Sequence, residues 1–141
     1  MRYENLQAGM ALIDMLHVGK SQDAKRKNVE CLVKDILYTS GLDVSMGKLP
    51  FGATVLACLA CVRTAFAGGT TTGTVSVGTS GAATAYMTTA IFAETVAGLK
   101  AFLPVTATPL AAETEILIDV TAPTGTGLAG AATIALFYLP A

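Results

Sequence analysis

A mainly β chain, folded as a sandwich or barrel, is what this sequence predicts, and three observations carry the prediction. From Ala53 onward the residues are largely β-branched and small. Turn-forming stretches interrupt them at short intervals: "AGGTTTG", "SGAATA" and "PTGTG". The segment "ETEILIDVT" alternates, with Glu113, Glu115 and Asp119 at one parity and Ile116 and Ile118 at the other, which makes one face wet and the other buried.

The elements follow in chain order. "LQAGMALIDMLHVG" spaces Leu6, Met10, Ile13 and Leu16 as a helix would, but Gly9 weakens a helix by roughly 1 kcal/mol, so this segment is a short helix or an arm that orders on a partner. "KSQDAKRKN" follows, with Lys20, Lys25, Arg26 and Lys27 forming the only basic run, read as an exposed loop. The division is therefore an N-terminal arm and basic loop over residues 1–28 and a β-sandwich over 29–141. Strands are predicted in "NVECLVKDILYT", "ATVLACLACVRTAF", "TGTVSVGTS", "AFLPVTAT", "TEILIDVTAP" and "LAGAATIALFYLP". The stretch "YMTTAIFAETVAGL" reads equally as a short helix or as a loop with one turn.

Composition narrows the function. The chain has 141 residues, enough for one domain with a real core. Nine basic and ten acidic side chains leave a net charge of -1, which provides no field to attract nucleic acid or anionic lipid. Charged residues make up 13% against about 25% in an ordinary soluble domain. Hydrophobic residues reach 52% and the mean hydropathy is +0.59. The longest apolar runs, Ala53 to Val62 and Leu128 to Leu139, fall short of the roughly 20 residues of a spanning helix. The surplus apolar surface is thus expected to be hidden by neighbouring molecules in an oligomer or large assembly. Glu4 and Asp14 interrupt the N-terminal apolar stretch, unlike a signal peptide, and three cysteines do not form the framework of a small secreted fold; a reducing compartment is expected.

Candidate chemistry is sparse. Cys58 and Cys61 have the C-x-x-C spacing of redox and zinc sites, but they fall inside a strand pattern rather than at a helix N-terminus. Three residues apart on a strand, they face opposite sides of the sheet and share neither a metal nor a disulfide. Only Cys31 and His17 remain as further ligands. His17, the single histidine, has no nucleophile motif near it. The glycine-rich stretches lack the lysine of a phosphate loop, and nothing indicates that Glu94, Glu113, Glu115 and Asp119 converge as a glycosidase pair. The expectation is a protein without catalytic residues, metal or cofactor.

The stretch "LPFGATVLACLACVRTAFAGGTTTGTVSVGTSGAATAYM" carries a resemblance. Its Leu-Pro-x-Gly-Ala turn leading a strand, its "TVSVGTSG" strand and its "TAYM" continuation resemble small structural proteins of tailed bacteriophages. More narrowly, residues 49–140 are similar to the capsid cement, or decoration, proteins of short-tailed phages. The resemblance implies a jelly-roll sandwich on the outside of an icosahedral shell built from a major capsid protein of the HK97 type. It also implies self-association into dimers or trimers and docking across the junctions between shell subunits, in a virion assembled in the host cytoplasm. On that reading Leu6, Met10, Lys20, Lys25, Arg26 and Lys27 are the expected shell contacts, with Phe137 and Tyr138 as apolar anchors. The rival expectations are another virion part, such as a tail or head-fibre protein, and a small enzyme or carbohydrate-binding module.

Overall fold

The computed structural model of the chain describes residues 28–71, 73–89, 96–104 and 108–141. Their β-branched and alternating stretches form eight strands: β1 (Glu30–Leu37), β2 (Val44–Leu49), β3 (Thr54–Ala67), β4 (Thr74–Thr79), β5 (Ala82–Met87), β6 (Gly98–Phe102), β7 (Thr114–Thr121) and β8 (Ala129–Leu139). They make two four-stranded sheets, ordered β1-β8-β3-β6 and β2-β7-β4-β5, with all neighbours antiparallel. The pairs β1–β8, β2–β7, β3–β6 and β4–β5 are those of one long hairpin that turns back at Ser80 and Gly81. Rolling that hairpin brings β8 against β3 and β7 against β4, which is the jelly-roll topology.

The core lies between the sheets. Ile36, Val62, Cys58, Ile134 and Leu136 from the first sheet pack with Leu49, Val75, Val77, Ile116 and Ile118 from the second, all buried. Each such aliphatic side chain stabilises the fold by about 1.5–3 kcal/mol through removal from water. In β7 the predicted alternation holds: Ile116, Ile118 and Val120 point inward, whereas Glu115 and Asp119 do not. The turn stretches around Gly68 and Gly125 also hold. Thr70 N–H donates to the Thr124 carbonyl at 2.6 Å, and the Thr71 and Thr124 hydroxyls lie 2.7 Å apart, which ties the β3–β4 loop to the β7–β8 loop.

Three expectations are corrected. The sequence predicts no strand over residues 44–49, yet β2 is there; Gly47 and a register shift between Ser45 and Gly47 obscure its period. The stretch "SGAATA" is a turn only at Ser80 and Gly81, because Ala82–Met87 is β5. That strand lies at the sheet edge with Ala82, Ala83, Thr84 and Ala85 all exposed, so it shows no buried period to read. Gly78 lets β5 come close: a Cβ there would lie 2.0 Å from the Ala82 carbonyl oxygen. Finally, "YMTTAIFAETVAGL" is divided: Tyr86 and Met87 end β5, Gly98 and Leu99 begin β6, and residues 90–95 lie outside the described residues. β6 therefore starts three residues before the predicted "AFLPVTAT" strand.

Candidate functional site: the outer face of one sheet

The two sheets differ in what they turn to solvent. On the outer face of β2-β7-β4-β5 polar groups are engaged with one another. The Ser45 hydroxyl donates to Glu115 Oε1 at 2.7 Å, the Asp43 N–H donates to Asp119 Oδ1 at 2.8 Å, and Lys48 pairs with Glu113 at 3.6 Å. These carboxylates serve turns and strand pairs, and none is set opposite another across a cleft.

The outer face of β1-β8-β3-β6 is apolar. Strand register assembles it in rows: Cys31, Phe137 and Ala57; then Val33, Ala135, Leu59 and Ala101; then Asp35, Thr133, Cys61 and Leu99; then Leu37, Ala131 and Thr64. Val33 is 58% exposed, Leu37 53% and Leu99 67%, and Leu103, just beyond β6, is 71% exposed. The small residues Ala131, Ala135, Ala57 and Ala101 keep the middle of the face low. Only two charges stand on it among the described residues, and they neutralise each other. Arg63 lies 3.4 Å from Asp35, and the Thr133 hydroxyl donates to the same Asp35 oxygen at 2.5 Å. A single polar line thus crosses an otherwise apolar surface.

The sequence carried a signal for this face. β7 alternates because one of its sides is wet, but β8 and most of β3 are apolar at both parities. Strands buried on both sides have that composition. In the described chain only one side of β8 is covered, by the opposite sheet; the other side carries Ala131, Ala135 and Phe137 to the surface. Val33, Leu59 and Leu99 were not singled out in the sequence because their common face emerges only from the register.

The predicted site residues are distributed as follows. Phe137 belongs to this face, half-buried. Tyr138, expected beside it as an anchor, points inward and is 7% exposed; its hydroxyl donates to Glu30 Oε2 at 2.6 Å. That hydrogen bond, with desolvation and the Glu30 charge, pushes the Tyr138 phenol up to about 12. Leu6, Met10, Lys20, Lys25, Arg26 and Lys27, like His17 and Glu94, lie outside the described residues.

Cys58 and Cys61 face opposite sides of β3, as their spacing predicts: Cys58 is 0% exposed and Cys61 is open. Burial pushes the Cys58 thiol up to about 12, the reverse of an activated thiolate. Among the described residues no three His, Cys, Asp or Glu side chains come together to hold a metal ion. No helix among them is long and apolar enough to cross a membrane.

No protein-family profile matches the sequence, and no curated protein matches it. Solved structures match in fold. A chain in the capsid asymmetric unit of cyanophage Pam1 superposes with a TM-score of 0.64 at 22% identity, over 82% of this chain and 86% of that one. A chain in the acid-stable capsid of Helicobacter pylori bacteriophage KHP30 gives 0.58 at 14% identity, over 81% and 91%. One in the capsid of Ralstonia phage GP4 gives 0.57 at 17% identity, over 82% and 85%. Because each overlap spans most of both partners, the matched chains are close to this one in length. The chain has a jelly-roll sandwich fold in common with chains of three phage capsids.

Proposed function

We propose that this chain is a virion structural protein of a tailed bacteriophage, a cement protein that binds the outside of an icosahedral capsid and bridges its major capsid protein subunits. The observation that carries the reading is the fold match to capsid chains of similar length. In this reading the chain adds to a shell rather than forming it. Binding only the assembled shell stabilises it by RT ln(1 + [L]/Kd) per site, and many copies bridging neighbouring subunits act together. The apolar sheet face supports the reading from an independent side, since a broad exposed apolar face marks a surface that meets another protein. In this reading the protein is a homo-oligomer, the basic run Lys20, Lys25, Arg26 and Lys27 with Leu6 and Met10 meets the shell, and no catalytic group takes part.

Density-gradient sedimentation of native virions tests it. The protein is expected to travel with the particles beside the major shell protein in fixed stoichiometry, and particles stripped of it should open at lower temperature. Replacing Lys25, Arg26 and Lys27 by Glu is expected to weaken uptake onto stripped particles without shifting the melting temperature of the free protein. Recovery of the protein only with isolated tails would move it to another part of the virion. Recovery only as a free small oligomer would end the structural reading.

A further inference from the structure

We infer that the outer face of the β1-β8-β3-β6 sheet is where two copies of this chain pack against each other, sheet on sheet, with the Asp35–Thr133–Arg63 line buried at the centre of the contact. The inference deepens the self-association in the proposed function by naming its surface.

Three features of the face select a second copy as its occupant. The first is charge. An interface between identical faces fails when it brings like charges together, and here Asp35 and Arg63 cancel within each copy. The second is composition. β8 and β3 are written as strands covered on both sides, so the free protein has an apolar surface to hide before it meets any particle. Another copy is the partner at hand from synthesis onward. The third is size. Four strands at about 4.8 Å spacing and seven residues at about 3.4 Å make a face roughly 19 Å by 24 Å. Two such faces, with their side-chain relief, bury on the order of 1,000 Å² together, at the low end of specific interfaces. The pairing is therefore expected to be reversible, with a dissociation constant in the micromolar range. The low relief from Ala57, Ala101, Ala131 and Ala135 suits it, because sheets stack at about 10 Å only when no bulky side chain holds them apart.

The polar line then sets register. On an open surface an Asp–Arg pair contributes little, but enclosed in an apolar contact neither charge can lose its partner without a large penalty. This gives a signature that no exposed pair shows. Arg63→Ala alone, or Asp35→Ala alone, is expected to weaken pairing at least tenfold, whereas the double variant Asp35→Ala with Arg63→Ala recovers it to within about threefold.

Cys61 provides the readout, since it lies open on this face next to Thr133. The experiment follows sedimentation equilibrium of the full chain against concentration, together with the labelling rate of Cys61 by a maleimide. A monomer–dimer equilibrium is expected, with Cys61 labelling slowing as dimer forms. Leu99→Glu should abolish both effects, and Leu117→Glu on the opposite sheet should leave both unchanged, with thermal melts confirming that each variant is folded. A monomer at every concentration with Cys61 open overturns the inference. So does Cys61 closed in the dilute monomer, which would mean that the face is covered by residues 1–27 of its own chain, and so does a dimer indifferent to Leu99→Glu. Failure here is separable from failure of the capsid reading: a monomer that stripped particles still take up leaves that reading standing, and a dimer as described that no particle takes up removes it.

Discussion

Replacing Gly78 by alanine tests the jelly-roll hairpin at its fold point. A Cβ at this position would lie 2.0 Å from the Ala82 oxygen and 2.5 Å from the Ala83 carbonyl carbon, both of them backbone. The φ angle of Gly78 is not in the left-handed region, so the cost is steric rather than conformational. To reach an ordinary contact of 3.4 Å from 2.0 Å, the β5 backbone must retreat by about 1.4 Å. That movement lengthens the ladder bonds beside the turn beyond hydrogen-bonding reach. Two lost bonds at about 1 kcal/mol each, with about 1 kcal/mol of residual overpacking, give a destabilisation of about 3 kcal/mol. For a domain of this size the melting temperature should fall by roughly 9–15 °C. Thermal and urea unfolding followed by circular dichroism measure it. Gly81→Ala is the matched control, because nothing lies within 4 Å of its Cβ position, and its effect should stay within about 0.5 kcal/mol. If the two variants melt within about 2 °C of each other, the close approach of β5 to β4 is not the one described.

Core and surface positions of β8 should separate sharply: Leu136→Ala, fully buried, is expected to cost about 2–5 kcal/mol in urea unfolding, while Ala135→Ser on the outer face costs less than about 0.5 kcal/mol. A thiol reagent should modify Cys31 and Cys61 in the native dilute protein and reach Cys58 only on unfolding, as mass spectrometry of the labelled chain would show. Stability should be fully present below about pH 9 and decline above it. The unfolded Cys58 thiol titrates near 9.0 and the folded one near 12, so between these values only the unfolded state releases its proton, at up to about 1.4 kcal/mol per pH unit. Tyr138, raised from 10.0 to about 12, adds to the same decline, and the slope of melting temperature against pH should flatten in Cys58→Ala. Tyr138→Phe removes the hydrogen bond to Glu30 and is expected to cost about 1 kcal/mol at neutral pH.

The strands that could be read from sequence are those whose surroundings impose a period or a long apolar run. β7 has a wet side and a buried side, so Glu115 and Asp119 interleave with Ile116 and Ile118. β3 and β8 are long and largely apolar, and β1 carries Leu32, Val33, Ile36 and Leu37. Those that could not be read lie at sheet edges. β2 carries Gly47 and a register shift, β5 is alanine and threonine in solvent, and the five residues of β6 are too few to show a pattern. The opposite facing of Cys58 and Cys61 was legible because it needs only the two-residue period of a strand. The apolar face was not. Its rows join residues up to about a hundred positions apart, such as Val33 and Ala135, and register of that range is decided by the rolling of the hairpin rather than by any local stretch.

β8, the last of the eight described strands, is an inner strand of its sheet. β8 pairs with β1 on one side and β3 on the other, so during synthesis both of those strands emerge long before the segment that joins them. At about 5–20 residues per second the ribosome holds them apart for several seconds, with two unpaired edges and half a core exposed. Folding must then wait for the most distant pairings in the chain, the kind that make β-sandwiches slow. Loss of even the final strand would leave β1 and β3 without their common partner. Co-expression with a chaperone that shields open strand edges is therefore expected to raise the yield of folded protein more than a gain in its final stability.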